Sequence, residues 1–193
     1  LGTSRPRALY LMLGEGDDLT PAPPVASASI DAAVIRARAA IRQVDGAHAV
    51  EVLDPVLVRY PTNPQLLAVR AAAEATRFEF DALKQRLAEF DKLYPGSPLA
   101  LYEAGRALSE SRQYAESEAV LKEAARRMPA APEFVGELGL MYVQWGKDDR
   151  AREALEQAYA LDPFNLRYDN SLQLVRELGT YDRVESEHFV VRY

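Results

Sequence analysis

The sequence predicts an all-α protein: a right-handed α-solenoid of helical hairpins stacked in a row. Three observations predict it. Prolines stand at 61, 95, 129 and 163, each 34 residues after the one before. Between them, apolar residues recur at spacings of three and four, the stripe of an amphipathic helix. Small residues take the same two places in successive units. A fixed period of this size marks stacked supersecondary units, each too small to bury its own apolar face.

Composition frames the prediction. The 193 residues carry 23 basic and 29 acidic side chains, a net charge of −6, and 48% are hydrophobic. That suits a globular chain with a sizeable core. The acidic balance opposes a sequence-independent grip on nucleic-acid phosphates. The absence of Cys excludes disulfides, thiolate metal sites and a Cys nucleophile. No apolar run approaches the roughly 18 residues of a membrane span.

Residues 1–29 read as an extension and linker. Leu1 opens the chain without Met, which reads as an internal piece of a longer protein rather than a processed start. Residues 8–13, ALYLML, are too short for a signal-peptide core with its flanks. Tyr10 and Met12 are expected to dock on the first helix. Residues 14–29 hold Pro21, Pro23 and Pro24 among Gly, Asp, Ser and Ala, which keeps the chain extended.

Residues 30–178 form the repeat region, in units 30–63, 64–97, 98–131 and 132–165, with a closing helix at 166–178. Its junctions read YPTNP, YPGSP, MPAAP and DPFNL. The first Pro stops a helix, because it lacks a donor and pushes its neighbour out of the helical region. The second, at 64, 98 and 132, opens the next helix where a missing N–H costs nothing. Asn63, Ser97 and Asn165 precede the openings as good N-caps, and Ala131 is the weak one. Residues 132–163 show the helical stripe best. Val135, Leu138, Tyr142 and Trp145 lie before a break at Gly146–Asp148, and Ala151, Leu155, Ala158 and Leu161 after it.

Ala37, Ala71, Gly105 and Gly139 stand where the first helix of a pair meets the second. Ala49, Leu83, Ser117 and Ala151 stand opposite. Small side chains let helix axes approach closely. Leu83 breaks the pattern, which predicts a splayed or shifted second pair.

In these residues the chain resembles the tetratricopeptide repeat family. Val135, Leu138, Gly139, Tyr142, Ala151, Leu155, Ala158 and Pro163 fill its pattern. Leu101, Gly105, Tyr114, Leu121, Ala124 and Pro129 fill it in the third unit, and Leu67, Ala71, Phe80, Leu87 and Pro95 in the second. The first unit is degenerate, with Ala37, Ala49, Leu53 and Pro61, and Pro55 falls inside its expected second helix. The resemblance implies an alpha-alpha superhelix of three to four repeats with a capping helix. It implies a groove, lined by the first helices, that binds a protein or peptide segment. By register that groove holds Val34, Arg38, Ile41, Ala68, Ala72, Ala75, Tyr102, Arg106, Ser109, Leu140, Val143 and Arg167. Tyr and Arg are frequent binding anchors, and Arg106 suits a partner carboxylate. The plainer alternative has Tyr102 packed on a neighbouring helix and Arg106 paired with Glu103 or Glu110. The Lys and Asn with which some family members clamp chaperone tails are absent: those places hold Val34, Ala68 and Tyr102, and Arg38, Ala72 and Arg106.

In the tail, 179–193, residues 188–193 alternate with period two and read as one strand, which forms no sheet alone. The stretch ESEHFVVRY resembles the opening of a peptidase-MA-like (gluzincin) domain. That resemblance implies a downstream metallopeptidase for which this chain is a regulatory or substrate-presenting arm. Self-association through the open ends is a third expectation.

No catalytic constellation is present. His48 and His188 are far apart in sequence, and Glu187 points away from His188 at strand spacing. There is no H-E-x-x-H and no phosphate-binding Gly loop, and GEGDD at 14–18 reads as a turn. Carboxylates sit three or four residues from Arg, as Glu123 does with Arg126 and Arg127, which is a solvated-face arrangement. The sequence therefore reads as a non-enzymatic interaction scaffold without cofactor or metal.

Overall fold

In a computed structural model of the chain, the structure describes residues 29–192. The readings of residues 1–28, including Tyr10 and Met12, fall outside this range. Among the described residues nine helices follow one another: α1 Ile30–Arg42, α2 Gly46–Arg59, α3 Pro64–Thr76, α4 Phe80–Leu93, α5 Leu99–Glu110, α6 Tyr114–Arg127, α7 Pro132–Trp145, α8 Asp148–Leu161 and α9 Leu166–Leu178. The all-α helical-repeat class expected from the sequence is the class observed. No described helix is long and apolar enough to cross a membrane. The chain divides into two compact units between Val120 and Leu121.

Proline punctuation acts as its chemistry dictates. Pro64 and Pro132 open α3 and α7. The Asn63 side chain accepts from the Leu66 N–H at 3.0 Å, and Asn165 accepts from Arg167 and Tyr168 at 3.2 and 3.4 Å. Ala131 caps with no side-chain bond. The third junction differs slightly: Pro98 is the N-cap and already helical in conformation, with Ser97 Oγ accepting from the Leu99 N–H at 3.4 Å. Pro55 lies inside α2, which runs through it unbroken.

In the first unit α3 is the spine. Ten of its thirteen residues are buried, so its neighbours close on it from nearly every side. Its own Leu66 and Val69, and Leu53 and Leu108 of the neighbouring helices, are fully buried, each contributing about 1.5–3 kcal/mol. The small-residue positions Ala37, Ala49 and Ala71 are solvent-free. Ser117 is buried too, its hydroxyl donating to the Gly105 carbonyl at 2.7 Å. Leu83, the exception, is also buried, and α4 buries little else but Phe90.

In the second unit α7 and α8 pack most closely where Gly139 faces Leu155. A Cβ at 139 would fall 2.8 Å from Leu155 Cγ. Met141, Leu155 and Leu172 are buried, and Tyr168 of α9 lies against Gly136.

The hairpin turns share a feature that their sequences conceal. Val44, Phe78, Arg112 and Gly146 stand 34 residues apart, with φ of 58°, 61°, 60° and 71°. The next N–H in each turn reaches back to close the helix: Asp45 to Ala40, Glu79 to Glu74, Gln113 to Leu108 and Lys147 to Tyr142, at 2.8 to 3.2 Å. This six-to-one bond with a left-handed residue before it is the Schellman helix stop. One backbone device ends all four first helices, and only the fourth uses Gly.

The tail corrects the expectation of a lone strand. β1 (Arg183–Glu185) pairs antiparallel with β2 (Val190–Arg192), Val184 opposite Val191. Ser186 Oγ braces the turn by accepting from the Phe189 N–H at 3.1 Å. With the strand paired, an orphan edge no longer argues for a following domain.

Candidate interaction surface

Register places the candidate residues on the first helices. In the first unit, spacings of three and four along α1 bring Arg38, Ile41 and Arg42 to one face. The same spacing on α5 brings Glu103, Arg106, Ala107 and Glu110 together. These seven side chains line a single small recess. Arg38 Nε donates to Glu103 Oε2 at 3.3 Å, and its Nη2 bonds the second carboxylate oxygen. The Arg38 side chain is 35% exposed and that of Glu103 only 5%. A buried carboxylate demands such a fork. Arg106 lies over the Tyr102 ring at 5.6 Å from its centroid and 4.0 Å from Glu110.

The structure thus brings Arg38 and Arg106 to one recess, with Tyr102 beside Arg106. Ala72, Ala68, Ala75, Val34, Ile41 and Ser109 are buried. The three alanines lie in the apolar core rather than in the recess. In the second unit Leu140 is buried and Val143 is partly buried. Arg167 is exposed and donates to the buried Glu137 at 2.5 Å.

Sequence reasoning missed the buried charges. Glu103 and Glu137 stand 34 residues apart, two positions before the small-residue sites Gly105 and Gly139, and both are buried and ion-paired. That shared phase on an apolar face was the available signal. A second network runs through Arg70, which donates to Asp54 at 2.9 Å and to the buried Glu74, while Arg77 holds Glu74 and Glu79. Among the described residues no buried side-chain polar atom lacks a partner, and no group of three His, Cys, Asp or Glu is placed to hold a metal ion.

Residues 133–165 match the tetratricopeptide repeat family model, the interval with the fullest sequence pattern. Solved structures share the fold. A thermophilic tetratricopeptide-repeat protein of Thermus thermophilus is 18% identical with a TM-score of 0.57, over 91% of this chain and 97% of that one. MamA of Desulfovibrio magneticus RS-1 is 22% identical with a TM-score of 0.50, over 78% and 84%. The Cut9–Hcn1 hetero-tetramer of APC/C contains a chain 14% identical, TM-score 0.55, matched over 79% of this chain and 29% of that one. No curated protein matches the chain by sequence.

Proposed function

We propose that the chain is a non-catalytic scaffold that binds a protein or peptide segment on the surface of its first helices. One observation carries this reading: the recess of the first unit sets Arg38, Arg42 and Arg106 against only Glu103 and Glu110, with Tyr102 under Arg106. A cation held over an aromatic ring is pre-organised for a partner's carboxylate. Arg38, committed to Glu103, forms a fixed wall of the recess. Val143 and Arg167 offer a second stretch of surface within residues 121–192, with Leu140 buried beneath it. The repeat fold supports the reading, and a chain of the same fold is solved inside the Cut9–Hcn1 hetero-tetramer. For a metallopeptidase-arm role the lone-strand argument is gone, because that strand is paired, and only the resemblance of residues 185–193 speaks for it.

The test is recovery of partners by the whole chain and by a Tyr102→Ala/Arg106→Ala variant, followed by cross-link mapping. Loss of partners with an unchanged helical spectrum supports the surface. Equal recovery overturns it.

Self-association is a second reading, favoured by the tail hairpin. Val184, Phe189 and Val191 are 54%, 71% and 54% exposed on a ribbon with open edges. Such edges add strands from another copy. A monomeric mass by light scattering at high concentration removes this reading.

A further inference from the structure

We infer that the outer face of the first hairpin is the docking site of the chain's own residues 8–13, ALYLML. The face belongs chiefly to α2 and is separate from the recess proposed above. α2 carries two apolar stripes where one would serve. Ala49, Leu53 and Val56 are buried and form the first. Ala47, Val50, Leu57 and Val58 form the second, along one side of the helix with Asp54 in their midst. One repeat later those four places hold Asp81, Lys84, Asp91 and Lys92.

Charge is thus replaced by apolar surface at four sites, and that surface meets solvent. Ala47 is exposed, Val50 and Leu57 are half-buried, and Val58 is 84% exposed. Asp54 is already held by Arg70 Nε at 2.9 Å. On α1, Ile35 and Ala39 are partly exposed, although Val69 and Ala73, in the same places on α3, are solvent-free. A repeat with no packed neighbour on one side needs a polar outer face. α9 has one: exposed Asn170 and Gln173 take the places of Gly136 and Gly139. The first hairpin has the reverse, and a contiguous apolar face of this kind marks a binding surface.

Length, composition and charge name the occupant. Residues 8–13 are the longest apolar run before α1, with Leu9, Leu11, Met12 and Leu13 beside Tyr10. They are tied to α1 by the 16 residues 14–29, a tether whose mean reach is about 20–24 Å. The hairpin turn sets the start of α1 beside the end of α2, near Val58, and the 14 residues of α2 span about 21 Å. The tether therefore matches the length of the stripe. At such a reach a tethered segment acts at an effective concentration of about millimolar, which favours it over a second copy at micromolar protein. Arg5 and Arg7 precede the run, and exposed Glu51 borders the stripe, so the signs agree. A partner that takes this face must first displace the chain's own cover.

The test is paramagnetic NMR on the whole chain. The sequence has no Cys, so Ser4→Cys carries a single nitroxide label. The label is expected to broaden the amides of Ala47, Val50, Leu57 and Val58 more than those of any other helix. Val58→Lys, which installs the residue found one repeat later at an exposed place, removes the broadening. It also speeds chymotryptic cutting after Tyr10 by about tenfold, the scale of one apolar side chain lost from a docked face. Leu9→Glu with Leu11→Glu does the same from the other side of the contact. Should Val58→Lys unfold, the Leu9/Leu11 variant still decides. A mixture of spin-labelled chain with isotope-labelled chain lacking the Cys is expected to show no broadening. The proposal is overturned by broadening in that mixture, which assigns the face to a second copy. It is equally overturned by broadening centred on Tyr102 and Arg106 or on the tail hairpin, by none at α2, or by broadening and cutting rates that survive the substitutions.

Discussion

Arg38 on α1 and Glu103 on α5 are 65 residues apart in sequence, yet they form a two-point ion pair over α3, the helix that packs on both. The pair ties the first and third repeats directly, beyond the neighbour-to-neighbour contacts of a repeat stack.

Removing one partner is expected to cost more than removing both. Arg38→Ala strands a carboxylate whose side chain is 5% exposed. The loss should reach about 1–3 kcal/mol, below the usual range for buried pairs because Arg38 itself is partly solvated. Arg38→Met combined with Glu103→Leu should recover most of it. Urea midpoints of the two single variants and the double variant measure the coupling. An unchanged midpoint for Arg38→Ala contradicts the pairing.

The left-handed turn positions predict opposite effects of the same residue. Val44 and Phe78 sit at φ near 60°, where a side chain costs about 1–2 kcal/mol. Glycine escapes that cost but loses more chain entropy. Val44→Gly and Phe78→Gly should each stabilise by about 1 kcal/mol or less, and Gly146→Val should destabilise by about 1–2 kcal/mol. Thermal melts of the three variants settle the sign.

Pro55 is a second residue that works against its own element. Inside α2 it removes one helical hydrogen bond and crowds the carbonyl of Glu51. It is exposed, so burial of its ring does little to offset this. Pro55→Ala should raise stability by up to about 3 kcal/mol. A melt no higher than that of the parent chain means the helix has already relaxed around the ring.

Acid should weaken the second unit through Glu123. Hydrogen bonds from Arg126 and then Arg127 hold its carboxyl at about 2, below the ordinary 4.5. A carboxylate with a lowered folded value stabilises the fold above its unfolded value. That contribution is fully present above about pH 4.5 and fades as pH falls toward 2. Glu123→Gln removes this part of the acid limb, so the two stability profiles should converge as pH drops. Profiles that stay parallel exclude the effect.

Much of this fold was legible because proline and glycine act locally. Pro61, Pro95, Pro129 and Pro163 each end a helix through their own ring, and Asn63 and Asn165 cap through their own side chains, so no distant contact was needed. The turns at Val44, Phe78 and Arg112 were illegible because the left-handed stop is imposed by the backbone bonds around it, and the expected glycine is missing. The tail hairpin was missed because β1 is three residues long and too short to show alternation. In the candidate surface, Arg106 and Tyr102 were singled out by the register that the family resemblance supplies. The Arg38–Glu103 pair was not, since it joins residues 65 positions apart on helices of different repeats.

The sharpest packing prediction concerns Gly136 and Tyr168. An added Cβ at 136 would fall within 2.6 Å of Tyr168 Cε1, well inside any real contact. Tyr168 is 4% exposed and lies on α9 next to Arg167, which bonds Glu137. Its ring has no solvent side to retreat to, so Gly136→Ala must push α9 away. Overpacking of this kind costs about 1–3 kcal/mol. A better helix former at 136 returns up to about 1 kcal/mol, so the net effect remains destabilising. Tyr168→Leu in the Gly136→Ala background trades the ring for a shorter side chain and should restore part of the loss. Hydrogen exchange reads the outcome locally: the amides of α9 should exchange faster in Gly136→Ala and slow again in the double variant. Unchanged protection across α9 in the single variant shows that the ring and this glycine are not in contact.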